Sequence, residues 1–198
     1  MKNILSALLL ASIAAAVTGA APIAPGKAAG IPGAPIQIEV FSDFQCPSCK
    51  ALYEEALRPL MTDYVAKGKV YLIHRDFPLA MHLHSREAAS WANASARVNK
   101  YELVCAELFR QQGVWAASGK IDAVIAGVLN AEEMKKVRAL LNDKTVAAEM
   151  EQDLQLGAKA NVRQTPTMIV THKGRAYPVA GSVAYSILRR FLDDLLAK

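Results

Sequence analysis

With 198 residues, 53% of them hydrophobic and 21% charged, the chain has the composition of an ordinary globular core under a solvated surface, which excludes intrinsic disorder and a coiled coil. Its length suits one compact domain or a domain with a large insertion, and its three cysteines are too few to staple a miniprotein. The net charge of +5 is scattered along the chain and forms no basic stripe, so it reads as solubility and no nucleic-acid partner is expected.

Met1-Lys2-Asn3 carries one positive charge, Ile4–Val17 is apolar apart from two serines and a run of small residues, and Thr18-Gly19-Ala20 offers a cleavage site. Residues 1–20 therefore read as a secretory signal peptide, cut after Ala20. The apolar run is short for a membrane span, which needs about 20 residues, so a retained leader acting as an anchor is the alternative. Either way the protein is expected in an exported compartment, periplasmic or secreted, where disulfides persist. Ala21–Pro35 (APIAPGKAAGIPGAP) is Ala, Pro and Gly with a single charge and no periodicity, and reads as a flexible linker over residues 21–35.

Ile36–Phe41 alternates and is rich in β-branched residues, which predicts a strand. After Cys46-Pro47-Ser48-Cys49, the residues Tyr53, Leu57, Leu60, Met61 and Tyr64 recur at helical spacing, with Pro59 expected to kink or restart that helix near Arg58. Val70–Ile73 is a second strand, and the pair joined by a helix makes a βαβ unit whose strands should be parallel. From about His82 to Ala160 the periodicity is helical: Tyr101, Val104, Cys105, Leu108 and Phe109 form one apolar stripe, and Ile121, Val124, Ile125, Val128 and Leu129 another. Asn130 with Glu133 reads as a helix cap, a further helix covers Val146 to Ala158, and no polar cluster is expected to point inward from this block. Thr167–Val170 and Ala176–Val179 are strands, and Ile187, Leu188, Phe191, Leu192 and Leu195 close the chain with an amphipathic helix. The order predicts one α/β domain, with halves 36–81 and 161–198 split by a helical insertion over 82–160.

Cys46-Pro47-Ser48-Cys49 carries the chemistry. Two cysteines three apart at the start of a helix lie on one face within bridging distance, and the first meets free backbone N–H groups and the positive end of the helix dipole. Such donors lower a cysteine pKa from about 8.5 into a range of roughly 3.5–7.5. The pair can then cycle between dithiol and disulfide, with Cys46 attacking and Cys49 resolving. Two other readings stand beside it: a static disulfide, although so short a loop removes little chain entropy, and half a zinc site, although no second CxxC or closely spaced His pair completes four ligands.

The stretch Glu39-Val40-Phe41-Ser42-Asp43-Phe44-Gln45-Cys46-Pro47-Ser48-Cys49, together with Thr165-Pro166-Thr167 before a late strand, resembles the DsbA-like thioredoxin-fold thiol oxidoreductases, over about Ile36 to Lys198. The resemblance implies a thioredoxin fold, βαβ then ββα, interrupted by the helical insertion. It also implies that Pro166 is cis and faces the cysteines, that Thr165 pairs with substrate backbone, and that Pro47 and Ser48 flank the bound chain. An ordinary trans proline opening a strand is the other reading of Pro166. An acid on the central strand serves these folds as proton acceptor for the resolving thiol, and that role falls to Glu39 with one extra residue in the loop; a solvent-facing Glu on an edge strand is its alternative. Two departures stand out. Ser48 occupies the place where the best-known members have His, and Gln164 stands where Gly is frequent, which points to a milder oxidant.

The implied function is an exported protein disulfide oxidase that passes the Cys46–Cys49 disulfide to reduced or unfolded translocated polypeptides through a mixed disulfide at Cys46. A quinone-linked membrane protein would reoxidise it. No metal and no cofactor beyond the cysteine pair is expected, and a monomer is. A reductase or isomerase is the nearest alternative, and a binding or holdase module with a structural CxxC is the alternative of a different class. Cys105, on an apolar stripe, reads as a buried core thiol, with an intermolecular disulfide as the other option. His74, His82, His84 and His172 are given no role beyond weak surface metal binding by His82 and His84, and Trp91 and Trp115 read as core or groove residues.

Overall fold

The computed structural model describes residues 23–24 and 26–198, so the leader expected at residues 1–20 lies outside the described residues. Five strands form one sheet in the order β1-β3-β2-β4-β5: β1 (Ala28–Ala29), β2 (Ile36–Ser42), β3 (Val70–Asp76), β4 (Thr167–His172) and β5 (Arg175–Ala180). The central pair β2–β3 is parallel, with Glu39 opposite Ile73, and every other pairing is antiparallel. This is the expected βαβ unit followed by a ββα unit, a thioredoxin fold. Ile36, Ile38 and Val40 are fully buried along one face of β2, as its period of two requires.

Between β2 and β3 the chain is helical from Pro47 to Val65, but not uniformly so. The helix α1 (Pro47–Leu52) passes into a π-turn (Tyr53–Leu57), then α2 (Arg58–Leu60), then a second π-turn (Met61–Val65). Pro59 has no N–H and its ring crowds the carbonyl one turn back. The widened turns relieve that crowding: Arg58 N–H reaches back five residues to Tyr53 O. The α-helical hydrogen bonding thus restarts at Arg58, one of the two outcomes expected of Pro59, without the chain leaving the helix.

Six helices follow between β3 and β4: α3 (Ser85–Ala96), α4 (Tyr101–Arg110), α5 (Gln112–Trp115), α6 (Ile121–Ile125), α7 (Ala131–Leu140) and α8 (Lys144–Lys159). The Asn130 cap forms as a capping box, Asn130 Oδ1 accepting from Glu133 N–H at 2.9 Å while Glu133 Oε2 accepts from Asn130 N–H at 3.0 Å. The last helix, α9 (Tyr185–Leu196), buries Leu188, Leu192 and Leu195. The buried apolar residues of sheet and helical block form one continuous core, from Ile36 through Tyr101 and Trp115 to Leu195.

Two expectations are corrected at the sheet edge. Residues 26–35 are not a loose linker: Ala28 and Ala29 pair with Ile73 and Leu72 of β3, and the Lys27 carbonyl accepts from His74 N–H at 2.8 Å. The small residues that looked unable to bury anything are what a close backbone approach needs. Gly30 has φ +96°, and a Cβ placed there would sit 2.6 Å from the Val70 carbonyl oxygen. The helical block also does point polar groups inward. Lys27, 2% exposed, donates to Asp76 at 2.5 Å and to Asp153 of α8 at 2.6 Å; Asn93 of α3 donates to Asp76 at 2.7 Å, and Arg75 to Asp153 at 3.0 Å. Burial pulls the Lys27 ammonium pKa down, but the two carboxylates beside it outweigh that and raise it.

Truncating one partner of a buried ion network leaves the others uncompensated, so Lys27→Met is expected to lower stability by about 3–5 kcal/mol in urea unfolding. A loss within that of an exposed lysine substitution would show that the clamp contributes nothing.

Candidate functional site

β2 ends at Ser42, and the loop Asp43-Phe44-Gln45 carries the chain to Cys46, which caps α1 in an extended conformation, φ −78° and ψ 122°. Pro47 opens the helix, where its missing N–H is no loss and its fixed φ is already helical. The N–H groups of Ser48 and Cys49 lie at the Cys46 sulfur, and the Cys49 N–H also donates to the Cys46 carbonyl at 3.1 Å. Cys46 is 7% exposed and Cys49, one turn deeper, is 1% exposed; all three cysteines are free thiols in this structure. Pro47 and Ser48 are exposed beside Cys46.

The two sulfurs are driven apart in acidity. A hydrogen bond from the Cys49 thiol lowers the Cys46 pKa most; partial burial opposes it, Thr165 and the backbone N–H groups of Cys49 and Ser48 assist it, and the result is about 5. Cys49 goes the other way: burial, then the neighbouring Cys46, push its pKa far above the thiol range, despite Ser42 and an Asp43 N–H that lies 3.4 Å from its sulfur. The Thr165–Pro166 peptide bond is cis, and the Thr165 carbonyl accepts from the Cys46 thiol at 3.5 Å. The Thr165 side chain is buried at the Cys46 sulfur, and Pro166 is buried too, its carbonyl accepting from Gly181 N–H at 2.8 Å. Cys46, Cys49, Pro47, Ser48, Thr165 and Pro166 therefore meet at one place.

Glu39 does not join them, which corrects its assignment as proton acceptor for Cys49. Its neighbours Ile38 and Val40 face the core that holds Cys49, so strand alternation sends Glu39 to the other face. There its carboxylate accepts from Arg75 Nε at 2.9 Å and Nη2 at 2.7 Å, and Arg75 continues to Asp153. Asp43, 1% exposed, meets Cys49 through its backbone N–H, while its carboxylate is engaged elsewhere. Its carboxylate accepts from Gln45 N–H at 2.7 Å, Leu79 N–H at 2.8 Å, the Ser85 hydroxyl and His82 Nδ1 at 2.8 Å. His82, given no role above, thus stands within this loop's hydrogen-bond network.

Two glutamines complete the cradle. Gln45 accepts from His84 N–H at 2.8 Å and donates to Ala116 O at 2.9 Å. Gln112 donates to the carbonyls of Phe44 at 2.7 Å and Cys46 at 3.0 Å. Of these residues only Asp43 had a local signal, the turn in which an Asp side chain accepts the N–H two residues on. Cys105 is buried on α4, its thiol pKa raised well above the ordinary value by burial and Glu102. Trp91 and Trp115 are both core residues. Among the described residues no group of three or more His, Cys, Asp or Glu is placed to hold a metal ion, and no helix is long and apolar enough to cross a membrane.

Comparisons with known proteins agree with the fold. A family model described as thioredoxin matches residues 24–194. Disulfide bond formation protein D of Bacillus subtilis (strain 168) is 26% identical over 167 residues, which span 80% of this chain and 73% of that protein. The crystal structure of oxidised BdbD from Bacillus subtilis superposes with a TM-score of 0.71 at 21% identity, covering 89% of this chain and 98% of that one. Wolbachia pipientis alpha-DsbA1 superposes with a TM-score of 0.70 at 18% identity, covering 85% and 89%. At those identities the superpositions speak to the fold.

Thiolate ultraviolet absorbance of the reduced protein is expected to appear in one step with a midpoint of about 5, from Cys46, with no second step from Cys49 through the ordinary thiol range. The Cys46 pKa is lower folded than unfolded, so this ionisation stabilises the reduced fold above the ordinary thiol pKa, and the contribution is lost as pH falls through about 5. A single step near the free-cysteine value would refute the site geometry.

Proposed function

The chain belongs to the thioredoxin family matched over residues 24–194, and from that premise we propose that it is a thiol:disulfide oxidoreductase acting as an exported protein disulfide oxidase. The observation that carries this reading is the split between the two sulfurs: Cys46 held as an anion near neutrality at the head of α1, Cys49 dry and reluctant to ionise. Stabilising the Cys46 thiolate stabilises the dithiol over the disulfide, which makes the disulfide an oxidant. The relative named disulfide bond formation protein D supports the same direction of electron flow.

In this reaction a substrate thiolate attacks Cys46 Sγ of the Cys46–Cys49 disulfide, forming a substrate–Cys46 bond and breaking the one to Cys49. Cys49 leaves as a thiolate and takes a proton, since its burial disfavours the charge. A second substrate thiolate then attacks the substrate sulfur of the mixed disulfide and expels Cys46, whose low pKa makes it the better leaving group. Two electrons have passed from two substrate thiols to the enzyme, leaving one substrate disulfide and one enzyme dithiol.

Exposed Pro47 and Ser48 border the path to Cys46, and Thr165 beside Pro166 offers the substrate a backbone edge. The substrates are reduced or unfolded polypeptides leaving the export machinery, and a quinone-linked membrane protein restores the disulfide. The protein acts as a monomer behind a cleaved leader, or tethered to the membrane if the leader is kept. Ser48 supplies no positive charge to Cys46, which points to an oxidant milder than relatives with His there.

Cys46→Ser is expected to abolish oxidation of a reduced peptide with the fold unchanged, whereas Cys49→Ser, given a disulfide-bearing peptide, is expected to accumulate the mixed disulfide left when Cys46 attacks that bond and expels one peptide thiolate, which non-reducing gels display. An inactive wild-type chain whose Cys46→Ser variant unfolds would instead make the pair structural. A glutathione equilibrium as reducing as that of thioredoxin would reverse the direction.

A further inference from the structure

The helical block between β3 and β4 contributes no sulfur to the site, yet one of its side chains bonds the backbone of the redox loop at Cys46 itself. Gln112 of α5 is 6% exposed, and its amide nitrogen lies 2.7 Å from Phe44 O and 3.0 Å from Cys46 O. A primary amide has two N–H bonds, so both contacts are donated together. The Cys46 carbonyl also receives the N–H groups of Cys49 at 3.1 Å and Lys50 at 3.2 Å, which open α1. Packing fixes the approach. Phe109 of α4 lies 5.0 Å from Phe44 and 4.9 Å from Tyr53, ring centre to ring centre, and fully buried Trp115 ties α5 down by donating to Leu108 O at 2.7 Å.

We propose that Gln112 is a positioning residue for the redox pair: by clamping the carbonyls on either side of Gln45, it holds Cys46 in the extended conformation that turns its sulfur toward the first N–H groups of α1. The proposal rests on Cys46 being the reacting sulfur and deepens that reading, because it gives the helical block a part in setting the reactivity of a thiol it does not touch. Two physical effects act together. The amide hydrogen offsets the partial negative charge of the Cys46 carbonyl, which otherwise faces the anion on the same residue. The clamp also removes backbone freedom from Phe44 to Cys46, so the sulfur spends less time turned away from its donors.

Gln112→Met keeps the length of the side chain and donates nothing, whereas Gln112→Glu keeps the shape and turns an acceptor toward both carbonyls. The expected result is an upward shift of the Cys46 titration by roughly 0.5–1 unit in Gln112→Met and by more in Gln112→Glu. Each unit is tenfold in the standing of the thiolate, so the equilibrium with glutathione at neutral pH moves about three- to tenfold toward the protein disulfide in Gln112→Met. A merely structural side chain would lower the unfolding midpoint and leave titration and equilibrium where they were, and that outcome overturns the proposal. If neither variant folds, the reduced wild-type protein decides. The Gln112 side-chain amide resonances should shift with the same midpoint as the Cys46 thiolate, and a flat profile overturns the proposal. The oxidase reading fails by a different sign, a wild-type chain that leaves peptide thiols unoxidised whatever the Gln112 variants do.

Discussion

The Cys49 thiol and the N–H groups at the head of α1 face the Cys46 sulfur, while Cys49 itself lies one turn deeper in the apolar core, beside Cys46, Ser42 and an Asp43 N–H. A charge is welcome at the first position and costly at the second. That asymmetry arises from the Cys49 thiol donating to Cys46, from the burial of Cys49, and from an extended residue followed by proline at the start of a helix. Ser48 between the cysteines is compatible with it, because the stabilisation comes first from the Cys49 thiol and then from hydroxyl and backbone donors.

Holding an extended residue in one orientation is the task of everything around it. Asp43 gathers four donors from the loop, the segment after β3 and the start of α3; Gln45 spans from that segment to the end of α5; Gln112 enters from the helical block. Phe109 slots between aromatic rings that precede and follow the cysteines. Sheet, loop and insertion share one core, so the insertion is mechanically part of the redox site.

What the sequence disclosed was what depends on near neighbours. The Cys46–Cys49 spacing, the stripe through Tyr101 and Phe109, and the Asn130 cap are all set within one or two helical turns, and each is where its pattern puts it. His82 and Gln112 were illegible because their partners stand 39 and 66 residues away, and no spacing rule reaches that far. Glu39 is different. Its alternation with Ile38 and Val40 already placed it on the far face of β2, and the resemblance to a family with an acid on that strand overrode the simpler argument of period two. Lys27 was hidden for a compositional reason: one lysine among Ala, Gly and Pro looks solvated, and only the pair of carboxylates waiting beneath it makes its burial favourable.

The Lys27 clamp bears on the order in which this protein takes shape. The ribosome makes Lys27 early, but Asp153, one of its two counter-ions, follows only 126 residues later. The clamp on edge strand β1 is therefore complete only after α8 has been synthesised, and a nascent chain that stops short of Asp153 has Asp76 alone to match the ammonium.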